Sequence, residues 1–151
     1  MLLLPPCSPP LYSSAASDVY KGQPELFQLD AHNVPTAVAG CPPDGFSATG
    51  QLWGNPLYRW EDMKKDGFTW WRRRIAASVK LYDVIRIDHF RGFEGYYAIP
   101  GGATTARDGV WRQGPGIELF HAVRAALGGL PIIAEELGFL PEGGHRRREA
   151  R

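Results

Sequence analysis

The chain has 151 residues, a hydrophobic fraction of 44% and a formal net charge of +1 at pH 7. This composition is typical of a globular protein and argues against a disordered chain or a nucleic-acid-binding protein. The 2 cysteines lack C-x-x-C spacing, and no run of about 18 apolar residues could span a membrane. We therefore expect a cytoplasmic protein without membrane partners.

The two ends of the chain and one long internal stretch lack helix or strand periodicity. Residues 1–17 are rich in proline, serine and alanine, which predicts an irregular N-terminal extension. Residues 142–151 are rich in glycine and arginine, which predicts a basic disordered tail. Prolines and glycines interrupt residues 21–60, so we predict a long irregular loop region there, with a short strand near residues 36–39. Loops of this length are uncommon in compact domains unless they serve a site.

The next segment predicts an amphipathic helix followed by a buried strand. Within residues 61–82 we expect an amphipathic helix, preceded by a short helical turn over residues 61–65. Its apolar residues recur at helical spacing, and they are Trp71, Ile75, Val79 and Tyr82. The three consecutive arginines at residues 72–74 are expected to form a solvated face. A β-branched run over residues 84–88 then predicts a short buried strand.

A loop rich in glycine and aromatic residues is expected over residues 90–116, before a second helix and strand. The helix should end at Gly128–Gly129, and its apolar stripe contains Ile117, Phe120, Val123 or Arg124, and Leu127. Residues 130–134 predict another buried strand. This order of helices and strands is typical of parallel α/β structure, in which consecutive strands are usually neighbours. We therefore predict an α/β fold.

Both predicted strands end in carboxylates. In parallel α/β barrels the carboxyl ends of the strands form the catalytic face, which makes Asp88 and the pair Glu135–Glu136 candidates. Side-chain alternation places Arg86 on the same face as Asp88, where its charge would lower the pKa of Asp88 and keep that carboxylate ionised. The alternative is an ion pair that only bridges strands, because buried pairs need not be functional. Alternation leaves the choice between Glu135 and Glu136 open.

Two carboxylates on adjacent strand ends suit the cleavage of an acetal bond. One would attack the anomeric carbon, while the other protonates the leaving oxygen and later activates the acceptor. Retaining enzymes hold such groups roughly 5 to 5.5 Å apart, close to the strand spacing of about 4.8 Å. The 4 histidines show no metal-ligand spacing, so no metal site is predicted.

Four stretches of the chain resemble a single family. They are PELFQLD at residues 24–30, AGCPPDGFSATGQLWGNPLY at 39–58, RIDHFRGFEGYY at 86–97 and PIIAEELGFL at 131–140. Together they closely resemble glycoside hydrolase family 77, the amylomaltase-type 4-alpha-glucanotransferases, over residues 18–141. The resemblance implies a (β/α)8 barrel, of which this chain would form a part because complete barrels take roughly 250 residues. It also implies transfer of α-1,4-glucan segments through a covalent glucosyl intermediate, without a cofactor.

The resemblance implies a role for individual residues. The aspartate of R-I-D-H-F falls on Asp88 as the nucleophile, and the glutamate of I-I-A-E falls on Glu135 as the general acid/base. Arg86 and His89 fall on positions that contact the nucleophile and the sugar in the subsite before the cleaved bond. In the loop that borders the glucan cleft, the resemblance implies substrate contacts for Asp44, Gln51 and Trp53.

The chain departs from the family pattern at three places. Gly45 replaces a residue that is often aromatic, so we expect one sugar-stacking contact to be missing. Glu136 follows Glu135 where relatives usually have aspartate. The family has a third essential carboxylate in a downstream His-Asp pair, and these 151 residues contain no His-Asp dipeptide. We therefore expect a partial gene product or a frameshifted ending.

Three functions are compatible with these sequence features. The first is a retaining 4-alpha-glucanotransferase, expected to show little activity as an incomplete chain. The second is a catalytically inactive glucan-binding or vestigial fragment. The third is an α-glucan hydrolase of related barrel architecture, which would use water instead of a glucan hydroxyl to intercept the intermediate.

Overall fold

A computed structural model describes residues 2–3 and 23–135 of the chain. The strands are β1 (Leu2–Leu3), β2 (Ala37–Cys41), β3 (Gln51–Pro56), β4 (Ile85–Ile87), β5 (Gly95–Pro100), β6 (Val110–Gln113) and β7 (Ile132–Ala134). The helices are α1 (Trp60–Lys65), α2 (Thr69–Ser78) and α3 (Ile117–Leu127). Short 3-10 turns lie at Pro24–Leu26 and Phe90–Phe93.

A parallel sheet contains three strands in the order β1-β4-β7. The two strands predicted to be neighbours, β4 and β7, pair in parallel with Ile85 opposite Ile132 and Ile87 opposite Ala134. Helix α3 lies between them in the chain, which confirms the predicted α/β class for the described residues. The prediction that both strands are buried is wrong for β7, because Ile133 is 56% exposed.

A second sheet is antiparallel and contains four strands in the order β3-β2-β5-β6. The strand predicted near residues 36–39 is present as β2. The rest of the sheet lies in segments that we predicted to be irregular, 21–60 and 90–116, so both predictions are wrong in part. Strand β2 pairs with β5, and β5 pairs in turn with β6. Such pairing between distant segments is set by tertiary contacts that local turn residues do not reveal.

The helical turn predicted over residues 61–65 is helix α1, and the amphipathic helix predicted after it is α2, which ends at Ser78. The chain turns sharply between them, because Gly67 and Phe68 have positive φ angles of 68° and 56°. A bulky residue rarely adopts this backbone conformation, but Phe68 is only 3% exposed and its packing stabilises it there. Tyr82, predicted on the apolar stripe, lies beyond the end of α2 and is 41% exposed.

Helix α3 begins and ends close to the predicted residues, but its buried face is shifted. Leu119 and Val123 are the buried residues of the helix, whereas Arg124 is exposed. Among the arginines predicted to be solvated, Arg73 is exposed and Arg74 lies over the rings of Trp70 and Trp71, the latter at 5.7 Å. The guanidinium of Arg74 therefore packs on aromatic surface in cation–π contacts.

An aromatic cluster forms the centre of the core. Trp71 of α2 is fully buried, and its ring centroid lies 5.3 Å from that of Phe93 and 5.9 Å from that of Trp60. Ile85 and Ile87 of β4 are also fully buried in this cluster. The inward isoleucines fix the strand so that its alternate side chains point the other way.

The ends of the chain contribute little to this description. Leu2–Leu3 lie inside the segment predicted to be irregular and pair in parallel with β4. The remainder of residues 1–17, Glu136 and the tail predicted over 142–151 lie outside the described residues. Across the described part of the chain, no helix is long and apolar enough to cross a membrane.

Candidate functional site

Asp88 and Glu135 follow directly after two paired parallel strands. The last paired residues are Ile87 of β4 and Ala134 of β7, so the next residues of the two strands lie side by side. The N–H of Glu135 donates to the carbonyl of Ile87 at 2.8 Å, and the N–H of Phe90 donates to the carbonyl of Glu135 at 2.9 Å. The backbone of Glu135 is therefore bonded to the chain on both sides of Asp88.

The environment of Glu135 favours its protonated form. A hydrogen bond with Asp88 raises the pKa of Glu135 above its ordinary value, and partial burial adds to the rise. Arg86 acts in the opposite direction and limits it. The side chain of Glu135 is 21% exposed, and its Oε2 is shielded from solvent. A carboxyl that keeps its proton above the usual range is suited to donate that proton to a leaving oxygen.

Arg86 points to the face that was predicted, but it has a different partner. Its side chain is half exposed, whereas Ile85 and Ile87 on either side are buried, as alternation required. The guanidinium forms an ion pair with Glu135, and the predicted pairing with Asp88 is not formed. Arg86 and Glu135 are diagonal neighbours on one face of the sheet, and a long side chain reaches a diagonal neighbour easily.

His89 turns the chain away from the parallel sheet. It has φ 50° and ψ 51°, the left-handed conformation, and it begins the 3-10 turn that leads to β5. Burial lowers the pKa of His89 below its ordinary value, the nearby charge of Arg91 lowers it further, and Asp88 opposes both. The imidazole is thus kept neutral beside the candidate nucleophile and can donate and accept hydrogen bonds.

Strand β3 brings two of the predicted substrate contacts toward His89. The ring of Trp53 lies edge-on to the ring of His89, with centroids 6.2 Å apart and an interplanar angle of 87°. Its indole N–H donates to the side-chain oxygen of Gln51 at 3.0 Å. Gln51 is exposed and Trp53 is half-buried. The structure thus brings Trp53 and Gln51 together and places Trp53 against His89, next to Asp88.

Asp44 belongs to the loop between β2 and β3 and is not brought to the carboxylates by any contact among the described residues. Its Oδ1 accepts hydrogen bonds from the N–H groups of Phe46 at 2.9 Å and Ser47 at 2.8 Å. These bonds close a tight turn that holds Phe46 at the surface, where its side chain is fully exposed. Asp44 therefore has a visible structural role in this loop.

Arg91 is a neighbour of the site that the sequence interpretation missed. It lies two residues after His89, in the 3-10 turn, and its guanidinium sits 5.0 Å from the ring centroid of Trp111. Its position in R-I-D-H-F-R gave no separate signal, because the contact depends on β6 folding back beside β5.

Among residues 23–135, no three or more His, Cys, Asp or Glu side chains form a group that could hold a metal ion.

Comparison with known proteins gives a consistent result. Residues 9–151 match the family model of glycoside hydrolase family 77, described as 4-alpha-glucanotransferase. The chain is 54% identical over 133 residues to the 4-alpha-glucanotransferase of Streptococcus pneumoniae serotype 4, covering 88% of this chain and 26% of that protein. It is 50% identical over 127 residues to the chloroplastic/amyloplastic 4-alpha-glucanotransferase of Solanum tuberosum, covering 84% and 22%.

A solved structure supports the same relationship. The amylomaltase from Streptococcus agalactiae, in complex with acarbose, superimposes with a TM-score of 0.78 and 52% identity, covering 82% of this chain and 25% of that one. The chain therefore spans about a quarter of the length of the relatives it matches. With a family model matched over nearly its whole length and its fold shared with an amylomaltase, the chain belongs to glycoside hydrolase family 77.

Proposed function

We propose that the chain supplies the nucleophile and the general acid/base of a retaining 4-alpha-glucanotransferase. The observation that carries this proposal is the pairing of Asp88 with Glu135 at the carboxyl ends of two adjacent parallel strands. The spacing of neighbouring strands, about 4.8 Å, is close to the roughly 5 to 5.5 Å between the carboxyl groups of retaining enzymes. The raised pKa of Glu135, caused first by its hydrogen bond with Asp88, suits a general acid.

The proposed reaction has two steps. Asp88 attacks the anomeric carbon of a donor glucan and forms a glycosyl ester, while the bond to the leaving glucan breaks and Glu135 transfers its proton to the leaving oxygen. Glu135, now a carboxylate, then takes the proton of an acceptor 4-hydroxyl as that oxygen attacks the anomeric carbon. The ester bond breaks, Asp88 returns to a carboxylate, and Glu135 is again protonated.

The neighbouring side chains support an α-1,4-glucan as the substrate. Neutral His89 and the positive charge of Arg86 lie beside the two carboxylates, and Trp53 offers an aromatic surface next to His89. Aromatic faces and a few placed polar groups are typical of sugar sites. The related Streptococcus agalactiae protein was solved with acarbose, which is consistent with this proposal. In our proposal the sheet β1-β4-β7 is part of a cytoplasmic (β/α)8 barrel.

A chimera tests the proposed roles in a full-length relative. The 133 residues of the Streptococcus pneumoniae enzyme that match this chain are replaced by the residues of this chain. Incubated with maltotriose, the chimera should release glucose and form longer maltooligosaccharides. Asp88→Asn and Glu135→Gln should each lower this activity by about 10⁴-fold or more, because each removes a group that reacts. Asp83→Asn, an exposed carboxylate just before β4, is the matched control and should keep full activity.

The products distinguish transfer from the alternatives. Shorter products without longer ones would indicate a hydrolase, and a folded chimera in which Asp88→Asn keeps its activity would contradict the assignment of the nucleophile. Glucan binding without turnover is the second candidate for the 151 residues alone, because they lack the His-Asp pair of the family. Robust disproportionation of maltotriose by the isolated chain would contradict that second candidate.

A further inference from the structure

Trp111 is an exposed aromatic residue on a strand at one end of the antiparallel sheet. Strand β6 pairs with β5, and all four residues of β6 are exposed to solvent. The indole of Trp111 is 52% exposed. Its ring is held against Tyr97, directly opposite on β5, with centroids 5.5 Å apart at an interplanar angle of 66°. A large apolar ring is thus held in place at the surface.

Arg91 adds polar groups to this aromatic surface. Its guanidinium lies 5.0 Å from the centroid of the Trp111 ring, within the range of a cation–π contact. Within residues 23–135, Arg91 takes part in no salt bridge or side-chain hydrogen bond. A guanidinium carries five N–H donors and no acceptor, so among the described residues these donors are not used by a side-chain partner. The pair therefore offers an apolar face with hydrogen-bond donors beside it.

A short segment of the chain connects the pair to the carboxylate site. Arg91 is close enough to His89 for its charge to lower the pKa of that imidazole, and His89 follows Asp88 directly. On its other side, His89 meets Trp53 edge-on. The 3-10 turn Phe90–Phe93 contains Arg91 and begins directly after His89, so this turn links the carboxylate site to Trp111 of β6.

We propose that Arg91 and Trp111 form an outer glucan subsite, which holds a glucose unit several residues away from the bond that reacts. This inference rests on the proposed glucan-transferring function. A glucose ring presents a flat face of C–H groups and a rim of hydroxyls, and the exposed indole and the guanidinium donors match these two features. The subsite should therefore contribute to the binding of long glucans and not to that of short ones.

The test measures affinity as a function of glucan length, by calorimetric titration of the 151-residue chain with maltose, maltotriose and maltoheptaose. Trp111→Ala should weaken maltoheptaose binding by about tenfold, because the stacked sugar face returns to water. Maltose binding should not change. Trp111→Phe should restore part of the affinity, and Arg91→Gln should weaken maltoheptaose binding as well. Tyr82→Ala, an aromatic residue that is 41% exposed beyond the end of α2, is the matched control.

Each outcome supports or contradicts the subsite. If Trp111→Ala and Arg91→Gln bind every glucan as the wild type does, the subsite is wrong while the proposed function stands. If Trp111→Ala weakens maltose and maltoheptaose equally, Trp111 does not act at an outer position. If the folded wild type binds none of the glucans, the subsite is contradicted, while the chimera still decides the proposed function. Circular dichroism of each variant establishes folding, and Trp111→Phe keeps the test valid if Trp111→Ala unfolds.

Discussion

Replacing Asp44 separates two roles that one side chain could have. The family resemblance implies a substrate contact, whereas the structure gives its Oδ1 two hydrogen bonds from the N–H groups of Phe46 and Ser47, at 2.9 and 2.8 Å. Asparagine keeps an oxygen in this position and loses the charge. Alanine loses both. Asp44→Ala should therefore loosen the turn, while Asp44→Asn should largely preserve it.

The structure sets the size of the expected effect. A net contribution of about 0.5 to 1.5 kcal/mol per hydrogen bond, taken at its lower half because Asp44 is exposed, gives about 1 to 2 kcal/mol for the two bonds. For a domain of this size, about 1 kcal/mol lowers the Tm by about 2 to 4 °C. Asp44→Ala should thus lower the Tm by about 2 to 8 °C, and Asp44→Asn by less than half as much.

Thermal unfolding followed by circular dichroism measures these shifts, with Asp108→Ala as the control for loss of an exposed carboxylate. Maltoheptaose affinity is measured on the same samples. An unchanged Tm in Asp44→Ala would refute the structural role. A loss of glucan affinity in Asp44→Asn with an unchanged Tm would show that the charge itself contacts the sugar, which would refute the reasoning that the turn is its main role.

Three further predictions concern β4 and its neighbours. Ile87→Ala should lower the free energy of unfolding by about 2 to 5 kcal/mol in urea titrations, because Ile87 is fully buried, and the same change at the 74% exposed Leu81, Leu81→Ala, should cost far less. Arg86→Met should raise the pKa of Glu135 further, because the charge of Arg86 lowers it. The alkaline limb of the chimera's pH–rate profile should therefore move to higher pH, and a shift to lower pH would contradict this. The pKa of His89 in the folded chain lies below 6.5, so its contribution to stability is complete above that pH and is lost as the pH falls below it. His89→Gln should therefore lose less stability in acid than the wild type does. An identical pH dependence of the two proteins would count against burial of the neutral imidazole.

The carboxylate positions were predictable because they depend on local pattern. A short β-branched run ending in a carboxylate, repeated after a helix, predicts parallel strands with acidic groups at the same edge. The structure pairs β4 with β7 in the register that sets Asp88 beside Glu135. The exposed Arg86 between buried Ile85 and Ile87 shows the alternation from which the shared face of Arg86 and Asp88 was predicted.

The ion-pair partner of Arg86 was not predictable from one strand. Alternation along β4 places Arg86 and Asp88 on one face, but it contains no information about the residues of β7 that share this face. In parallel pairing, Glu135 lies on the same face and diagonal to Arg86, and the guanidinium meets it. Whether Arg86 pairs with Asp88 or with Glu135 depends on the register between β4 and β7, which only the folded chain specifies.

The antiparallel sheet was missed because its sequence signals are those of loops. Gly40 shows why a glycine was needed inside a strand: a Cβ there would lie 2.2 Å from the carbonyl oxygen of Gln51 and 2.3 Å from a methyl carbon of Ile99. The backbones of β2 and β3 therefore approach closely at this point, where their register also shifts. A glycine inside a strand often marks such a close approach, yet in this proline-rich stretch it indicated an irregular loop.

The candidate site depends on the segment that connects the parallel sheet to the antiparallel sheet. The parallel sheet supplies Asp88 and Glu135, and the antiparallel sheet supplies the aromatic side chain of Trp53. His89 joins them in a left-handed conformation that is uncommon for a residue with a side chain and persists when the surroundings fix it. Those surroundings are the hydrogen bond from Phe90 to Glu135 on one side and the buried ring of Phe93 on the other. The carboxylates and the aromatic side chain of Trp53 are thus aligned by one short turn anchored at both ends.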